Sequence, residues 1–407
     1  YRFRNQERRL QRRQLLRRRR FVRRIALTPR DGWQKIAEEH GFFCHHVDGE
    51  IYWDESACYA FTLKEIEEGI EDPAQELADM CLDLAADIVS SEPLLESLSI
   101  PSFLWDMIRD SWQRNEPSLY GRFDFAYDGH GPAKLYEYNA DTPTALYEAA
   151  YFQWLWLEDC IKSGTVPEGS DQFNLIQEKL IETFSSFQVP GLMHFASMKD
   201  TEEDRATVEY LSDCARQAGV STRQMFMEDI GTDSQGLFVD EKGAPIHWLF
   251  KLYPWEFMWQ DEFAPLLPKS DTTFVEPAWK MVLSNKGILP LLWQRHEGHP
   301  NLLPAWFHTV TTPPLTQNYV LKPLLSREGA NIHVYKDHSQ VFASDGVYGS
   351  EGYIGQQLNP PPYVDGQGPV CGVWIVGGKS CGLGIREDAS PVTSNLSRFI
   401  PHYILPE

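Results

Sequence analysis

The hydrophobic and polar positions of this chain change rhythm three times, and each change predicts a change of architecture. Over residues 28–118 apolar positions recur with helical spacing. Leu77, Met80, Cys81, Leu84 and Ile88 form one stripe, and Phe103 to Trp112 opens another helix after Pro101. Between Arg122 and Asn139 the period drops to two. Arg122, Asp124 and Ala126 fall on one side of a strand, with Phe123, Phe125 and Tyr127 on the other. Asp128-Gly129-His130-Gly131-Pro132 is turn material, and Lys134 to Asn139 alternates again. Symmetric pairing about that turn makes Phe123 face Tyr138, Phe125 face Tyr136 and Tyr127 face Lys134, an aromatic slab suited to a core.

The opposite face of this hairpin sets Asp124 against Glu137 and Arg122 against Asn139. Like charges directly opposed destabilise a sheet, so a purely structural purpose is hard to find. Two carboxylates and an amide oxygen converging on one spot make an oxygen-rich site for a hard cation, and an open site of that kind suits Mg2+. Asp141-Thr142-Pro143-Thr144 then reads as the start of an aromatic-rich helix to Asp159, its N-terminal amides aimed near the same face. A surface hairpin with a merely solvated charged face is the alternative.

A further helix is predicted from Asp171 to Phe184. The middle third reads as an open α/β sheet: strand Leu192–Ser197, a helix from Thr201 to about Gly219, then strand Thr222–Met227. Its strand ends place the acidic run Asp200 to Asp204 at the mouth, where a ligand or simply the helix dipole would welcome it. Leu237–Asp240 and Ile246–Tyr253 read as a hairpin about Lys242-Gly243. From Asn301 onward the chain is strand-rich, with strands at Tyr319–Pro323, Ile332–Tyr335, Tyr353–Leu358, Val370–Val376 and Cys381–Arg386. Lys322 at a strand end, followed by Ser326-Arg327-Glu328-Gly329-Ala330-Asn331, resembles a phosphate clamp although it is no P-loop. An acidic metal hairpin and a basic clamp are complementary halves of a metal–nucleotide site.

Composition narrows the class. The 407 residues are 42% hydrophobic and include 13 Trp, 17 Tyr and 22 Phe, enough for large cores. No apolar run is long enough to cross a bilayer. The 7 cysteines are odd in number and lack a CxxC, which suits reduced thiols in a cytoplasmic protein. Cys44-His45-His46 is not read as a metal cluster, because neighbours on a strand point to opposite faces. The net charge of −21 hides an Arg-rich start: from residue 25 on, the chain carries about −32. So acidic a body disfavours nucleic acid and suits cationic partners. The Arg-rich start is read as a disordered tail; a basic arm for RNA or anionic lipid is the other reading.

Five motifs occur together in order: RFDF at 122–125, YEYNAD at 136–141, SNKGILPLLW at 284–293, LKP at 321–323 with SREGAN at 326–331, and GIRED at 384–388. On these the chain resembles the synthetase domain of the glutathionylspermidine synthase family, its stand-alone acid–amine ligase members most closely, from about residue 28 to the end. The resemblance implies an α/β (α+β) protein with an ATP-grasp fold, a preceding open α/β domain and an N-terminal helical region. The units expected are a tail over 1–27, a helical region with the metal hairpin over 28–190, a pre-ATP-grasp α/β domain over 191–283 and a nucleotide-clamping domain over 284–407.

The same resemblance implies roles. Arg122 would touch ATP and stabilise transition-state charge, with Arg327 and Arg386 in the same catalytic cluster. Asp124, Glu137 and Asn139 would bind two Mg2+ ions, Asp124 also meeting the nucleotide. Lys286 and Lys322 would hold phosphates under the loop of Gly329, and Gln356, Gln357 and Leu358 would line the adenine pocket. Thr142 and Glu203 would lie near the acid substrate and Glu202 near a polyamine-like amine. The implied reaction is ATP- and Mg2+-dependent amide formation between a small carboxylic acid and an amine, through an acyl phosphate. Phe257 stands where the glutathione-using synthases place a Thr, and no fused amidase domain is expected; both make glutathione an unexpected substrate. A glutathionylspermidine synthetase proper, a metal-dependent phosphohydrolase or ATPase on the same carboxylates, and a nucleic-acid binder using the Arg-rich arm are the alternatives.

Overall fold

The computed structural model describes residues 23–394 and 396–406. The expected tail lies outside the described residues as far as residue 22. Its last residues do not: Arg23–Ala26 is a strand paired with Ala57–Phe61. Arg24 secures it, donating to both oxygens of the buried Glu387 carboxylate at 2.9 and 2.8 Å. A third strand, His402–Ile404, brings the end of the chain to the same small sheet. The span 28–118 is therefore not helical throughout, although Asp72–Val89 is the predicted amphipathic helix and buries its whole apolar stripe.

The central sheet is antiparallel. Its order is Arg398–Ile400, Lys379–Asp388, Gly368–Val376, Tyr120–Ala126 and Lys134–Asn139, so the polar hairpin forms one edge and strands from the far end of the chain complete it. Gly368–Val376 is buried at every position and faces two cores. Cys371, Val373 and Ile375 join Phe123 and Phe125 in the core that holds Leu77, Leu84 and Ile88. Trp374 and Val376 face the other way, into a core with Trp156, Leu180 and Phe184. Period-two alternation on a sheet covered on both faces thus sends half of each strand into each layer.

A second sheet is parallel, in the order Thr273–Val275, Trp248–Lys251, Leu192–Ser197 and Ser221–Phe226, with the predicted helix at Glu202–Gln217. The expected hairpin over 237–253 survives only at its turn, where Ile246 donates to the Phe238 carbonyl. Leu249, Phe250 and Lys251 are fully buried, and such a strand belongs inside a parallel sheet. The third sheet runs Ala305–His308, Tyr353–Gln357, Tyr319–Pro323, His333–Lys336 and Ser339–Ala343, all antiparallel.

Two helix starts move from their expected places. Helical structure begins at Leu146 rather than Pro143, after Ala145 at φ 66°, with a π-helical turn at Glu148–Phe152 before the helix Gln153–Ser163. The Asp141 carboxylate is engaged elsewhere, accepting from Lys251 Nζ at 2.7 Å and from the Trp255 backbone N–H at 2.9 Å. Likewise the helix expected from Asp171 begins at Ile176, because Asp171 exchanges backbone hydrogen bonds with Ile404.

The Asp141–Lys251 pair ties the end of the polar hairpin to the parallel sheet with both side chains fully buried, and Lys251 also lies 4.6 Å from the Trp255 ring centroid. Replacing Lys251 by Met should therefore strand a buried carboxylate and cost about 3–5 kcal/mol in urea unfolding. Adding Asp141→Leu should return much of that loss; a single-variant loss under about 1 kcal/mol would show the pair to be incidental.

Candidate active site

The hairpin keeps its predicted register over the half that matters. Arg122 pairs with Asn139, Phe123 with Tyr138 and Asp124 with Glu137. Beyond Asp124 a bulge shifts the register, so that Phe125 faces Leu135 and Ala126 faces Lys134, in place of the expected Phe125–Tyr136 and Tyr127–Lys134 pairs. The extra residue is Tyr136, and the bulge turns it out of the aromatic slab into a cleft, where its hydroxyl donates to the Asn359 carbonyl at 2.5 Å.

Asp124 and Glu137 are tolerated side by side because cations reach them from separate segments. Arg122 donates to the two oxygens of Asp124 at 2.7 and 3.0 Å, and Arg386 approaches Asp124 at 3.5 Å. Lys286 meets Glu137 at 2.8 Å. Burial alone would raise the Glu137 carboxyl, but Lys286, Lys322 and Arg122 overcome it and hold the group well below the usual carboxylate range. Gly372 leaves room for this arrangement: a Cβ there would come within 2.8 Å of Arg122 Cδ. Asn139 Nδ2 lies 3.4 Å from Asp124 and 3.3 Å from Glu137. Turning that amide over would aim its oxygen at the same point, so the three side chains form an oxygen-donor set that fits Mg2+.

A cleft of about 470 Å3 opens from this face between the central and third sheets, and its lining includes Asp124, Glu137, Lys286, Lys322, Gly329, Gln356, Gln357 and Leu358. Every residue that the resemblance assigns to ATP, except Arg122, thus borders one space; Arg122 lies just behind Asp124 beside Arg386. Lys322 Nζ donates to the Tyr136 carbonyl at 2.9 Å and to Gln356 Oε1 at 2.8 Å. Gln356 in turn donates to the Leu135 carbonyl at 3.0 Å, so its side chain orients Lys322. Burial lowers the Lys322 ammonium to about 8, against the pull of Glu137. Gly329 has φ +72°, and a Cβ would strike the Thr393 carbonyl at 2.5 Å. Glycine is required there on both counts.

Arg327 leaves the same loop to join a neighbouring group. It donates to Glu256 at 2.6 Å and to the Thr142 hydroxyl at 2.5 Å. The two expected glutamates diverge. Glu202 points to solvent and pairs with Arg205 at 3.5 Å, whereas Glu203 turns inward, its carboxyl raised by burial and opposed by Arg386. Sequence reasoning missed two partners here, Glu148 and Tyr52, whereas Asp204 belongs to the acidic run it placed at the strand ends. Glu148, on the π-helical turn, is 3% exposed, and burial beside Glu203 pushes its carboxyl up to about 7. Asp204 is pushed up to about 7 as well, by burial and then Glu203. Tyr52, from the N-terminal region, is buried against Glu148. The one available signal was an acidic residue inside the apolar run Ala145 to Trp156. Among the described residues no group of three His, Cys, Asp or Glu side chains forms a metal cluster, Cys44-His45-His46 included.

In the role that the resemblance gives it, Lys322 must be charged to hold a phosphate, so ATP affinity should fall as pH rises through about 8, with proton uptake on binding above that pH. Calorimetry in buffers of different ionisation heat reads both effects, and Lys322→Arg should flatten the profile. A wild-type affinity level from pH 7 to 9.5 would remove Lys322 from the phosphate contact. Gly329→Ala should weaken ATP binding about tenfold or more, because both the left-handed turn and the contact with the Thr393 carbonyl would have to give way.

Comparison with known proteins follows this geometry. The family model described as glutathionylspermidine synthase preATP-grasp matches residues 24–405. A Haemophilus influenzae protein provisionally named as an acid–amine ligase is 46% identical over 373 residues, spanning 88% of this chain and 92% of its own length. Trypanothione synthetase of Crithidia fasciculata is 29% identical over 80% of this chain, and the bifunctional glutathionylspermidine synthetase/amidase of Escherichia coli is 27% identical over 87%. The chain spans only 53% and 60% of those two longer proteins. Among solved structures, a glutathione synthetase-like effector from Globodera pallida in apo form superposes with a TM-score of 0.53 at 12% identity, over 88% of this chain and 92% of that one. The fold is the ATP-grasp fold with its α/β companion domain.

Proposed function

The chain belongs to the glutathionylspermidine synthase family of ATP-dependent carbon–nitrogen ligases, and from that premise we propose that it joins a small carboxylic acid to an amine, using ATP and Mg2+ and passing through an acyl phosphate. The observation that carries this reading is the convergence of Asp124, Glu137, Lys286, Lys322 and the Gly329 loop on one cleft of nucleotide size. A phosphohydrolase needs the carboxylates but not the paired lysines and their covering loop, so the ligase reading accounts for more of the site.

Asp124, Glu137 and Asn139 would hold Mg2+, which when bound would neutralise the polyphosphate and polarise the phosphoryl group under transfer. Lys286 and Lys322 would grip the phosphates. Arg327, held by Glu256, would orient the acid carboxylate beside Thr142 for in-line attack. Arg122 is pinned between Asp124 and the Thr144 carbonyl and would donate to the oxyanion formed when the amine adds to the acyl phosphate. The amine arrives protonated, and Glu148, raised to about 7 beside Glu203, suits the base that accepts its proton. Glu202 would hold a distal ammonium at the rim.

Glutathione is disfavoured as the acid. Phe257 is 38% exposed and packs edge-on to Tyr253 at 5.6 Å, presenting an aromatic surface where the resemblance implies a Thr in glutathione-using synthases. We assign the protein to the cytoplasm, where ATP is available; none of the helices among the described residues is long and apolar enough to cross a membrane.

Two outcomes are expected. ADP release across a matrix of acids and amines, with product masses read in parallel, should require one of each and yield a new amide, with Asp124→Asn at least about 100-fold slower. ATP turnover with no amine requirement would favour the hydrolase. Glu148→Gln should lower kcat by about 100-fold or more and abolish the fall in rate below pH 7, while ATP affinity stays unchanged. A preserved acid limb would assign the base elsewhere.

A further inference from the structure

Away from the nucleotide cleft, the parallel sheet carries a second cavity, of about 280 Å3. It lies where Leu192–Ser197, Ser221–Phe226 and Trp248–Lys251 end, bordered by Met198, Met227 and Tyr253 immediately beyond those strands. Open α/β sheets bind ligands at the carboxyl ends of their strands. The remaining wall is apolar, with Phe238, Phe274 and Met258 prominent. Methionine side chains re-pack around varied shapes, so a Met-rich wall suits an apolar body rather than one fixed hydrogen-bonding pattern.

The mouth is charged, and of one sign. Glu228 and Asp261 both border the cavity and are exposed. Their recorded partners are neutral: Glu228 accepts the Lys199 backbone N–H at 3.1 Å, and Asp261 accepts the Tyr253 hydroxyl at 3.3 Å. Lys199, the cation nearest in sequence, spends its ammonium on Asp229 at 2.6 Å. An apolar cavity rimmed by two carboxylates, neither of which forms an ion pair among the described residues, matches a ligand with an apolar body and one ammonium.

We propose that this cavity is a second ligand site, which takes a primary amine bearing a single positive charge and an apolar body. A cavity of about 150 Å3 accepts benzene, so this one has room for about a bicyclic ring or a chain of some eight carbons. A polyamine fits badly, since a second ammonium along its chain would enter the apolar wall without a partner. The short helix Trp255–Met258 connects the cavity to the catalytic group. Met258 lines the cavity, while Glu256 of the same turn holds Arg327 at 2.6 Å. Binding itself is independent of the ligase assignment and stands or falls separately from it.

The test is calorimetric titration of the full chain with 2-(1-naphthyl)ethylamine under saturating Mg–ATP, which fills the nucleotide cleft. One saturable site is expected. The neutral alcohol of the same body should bind at least about fivefold more weakly, the scale of one surface ion pair, and spermidine should not compete. Met227→Trp should abolish binding by filling the space. Glu228→Gln with Asp261→Asn, both exposed and safe for folding, should erase the preference for amine over alcohol. Absence of saturable binding would overturn the proposal, as would equal affinity for amine and alcohol, or competition by spermidine. Retained amine preference in the doubly neutralised variant would also overturn it.

Discussion

Two carboxylates held side by side in a nearly dry place are the constraint around which this protein is arranged. Asp124 and Glu137 oppose one another on the central sheet, Asp124 buried and Glu137 half-buried, and two like charges so placed need counter-charges close by. Arg122 supplies one counter-charge from the same strand, and the others come from distant parts of the chain: Lys286 from the loop before a helix, Lys322 from the third sheet and Arg386 from another strand of the central one. The sheet order follows from this need, since strands near residues 122 and 386 must be close neighbours for their side chains to meet. So does the glycine at 372, which gives the Arg122 side chain its room. With the two carboxylates neutralised, positive charge remains in excess, which suits the polyphosphate and metal proposed for this face.

How much of this was legible in the sequence depends on how local the determinant is. Alternation from Arg122 to Asn139 sufficed for the strand pairing and for the opposition of Asp124 and Glu137. It could not reveal the bulge at Tyr136, because a bulge is set by what the sheet edge packs against, here the third sheet. The capping signature at Asp141 was real as chemistry but misassigned: its carboxylate caps the turn at Trp255, more than a hundred residues on. Glu148 and Tyr52 escaped notice for the opposite reason. Glu148 sits in an apolar run and Tyr52 in a short segment between Glu50 and Asp54, and only the tertiary packing makes a buried Glu beside a second Glu unusual. The five ordered motifs carried the family and the fold, and the match over residues 24–405 bears that out.

The loop bearing Gly329 and Arg327 joins two tasks that the sheets keep apart. Its glycine closes against Thr393 over the cleft, and its arginine reaches Thr142 and Glu256 on the far side. The buried Asp141–Lys251 pair fixes the same corner from beneath. The Gly329 loop, Thr142 and the short helix at Trp255 are thereby linked through a few charged hydrogen bonds. Our reading of substrate choice rests on that helix, where Phe257 presents an aromatic surface.

The central claim is that the opposed carboxylates exist to hold a metal against ATP. The direct measurement is ATP affinity by calorimetry at zero and saturating Mg2+, for the wild type and for Glu137→Gln. The wild type should bind ATP more tightly with Mg2+. The variant should lose that gain while keeping or improving its Mg2+-free affinity, because Lys286 and Lys322 are then released to the phosphates. An undiminished Mg2+ effect in the variant would contradict the account and leave the hairpin a structural feature alone.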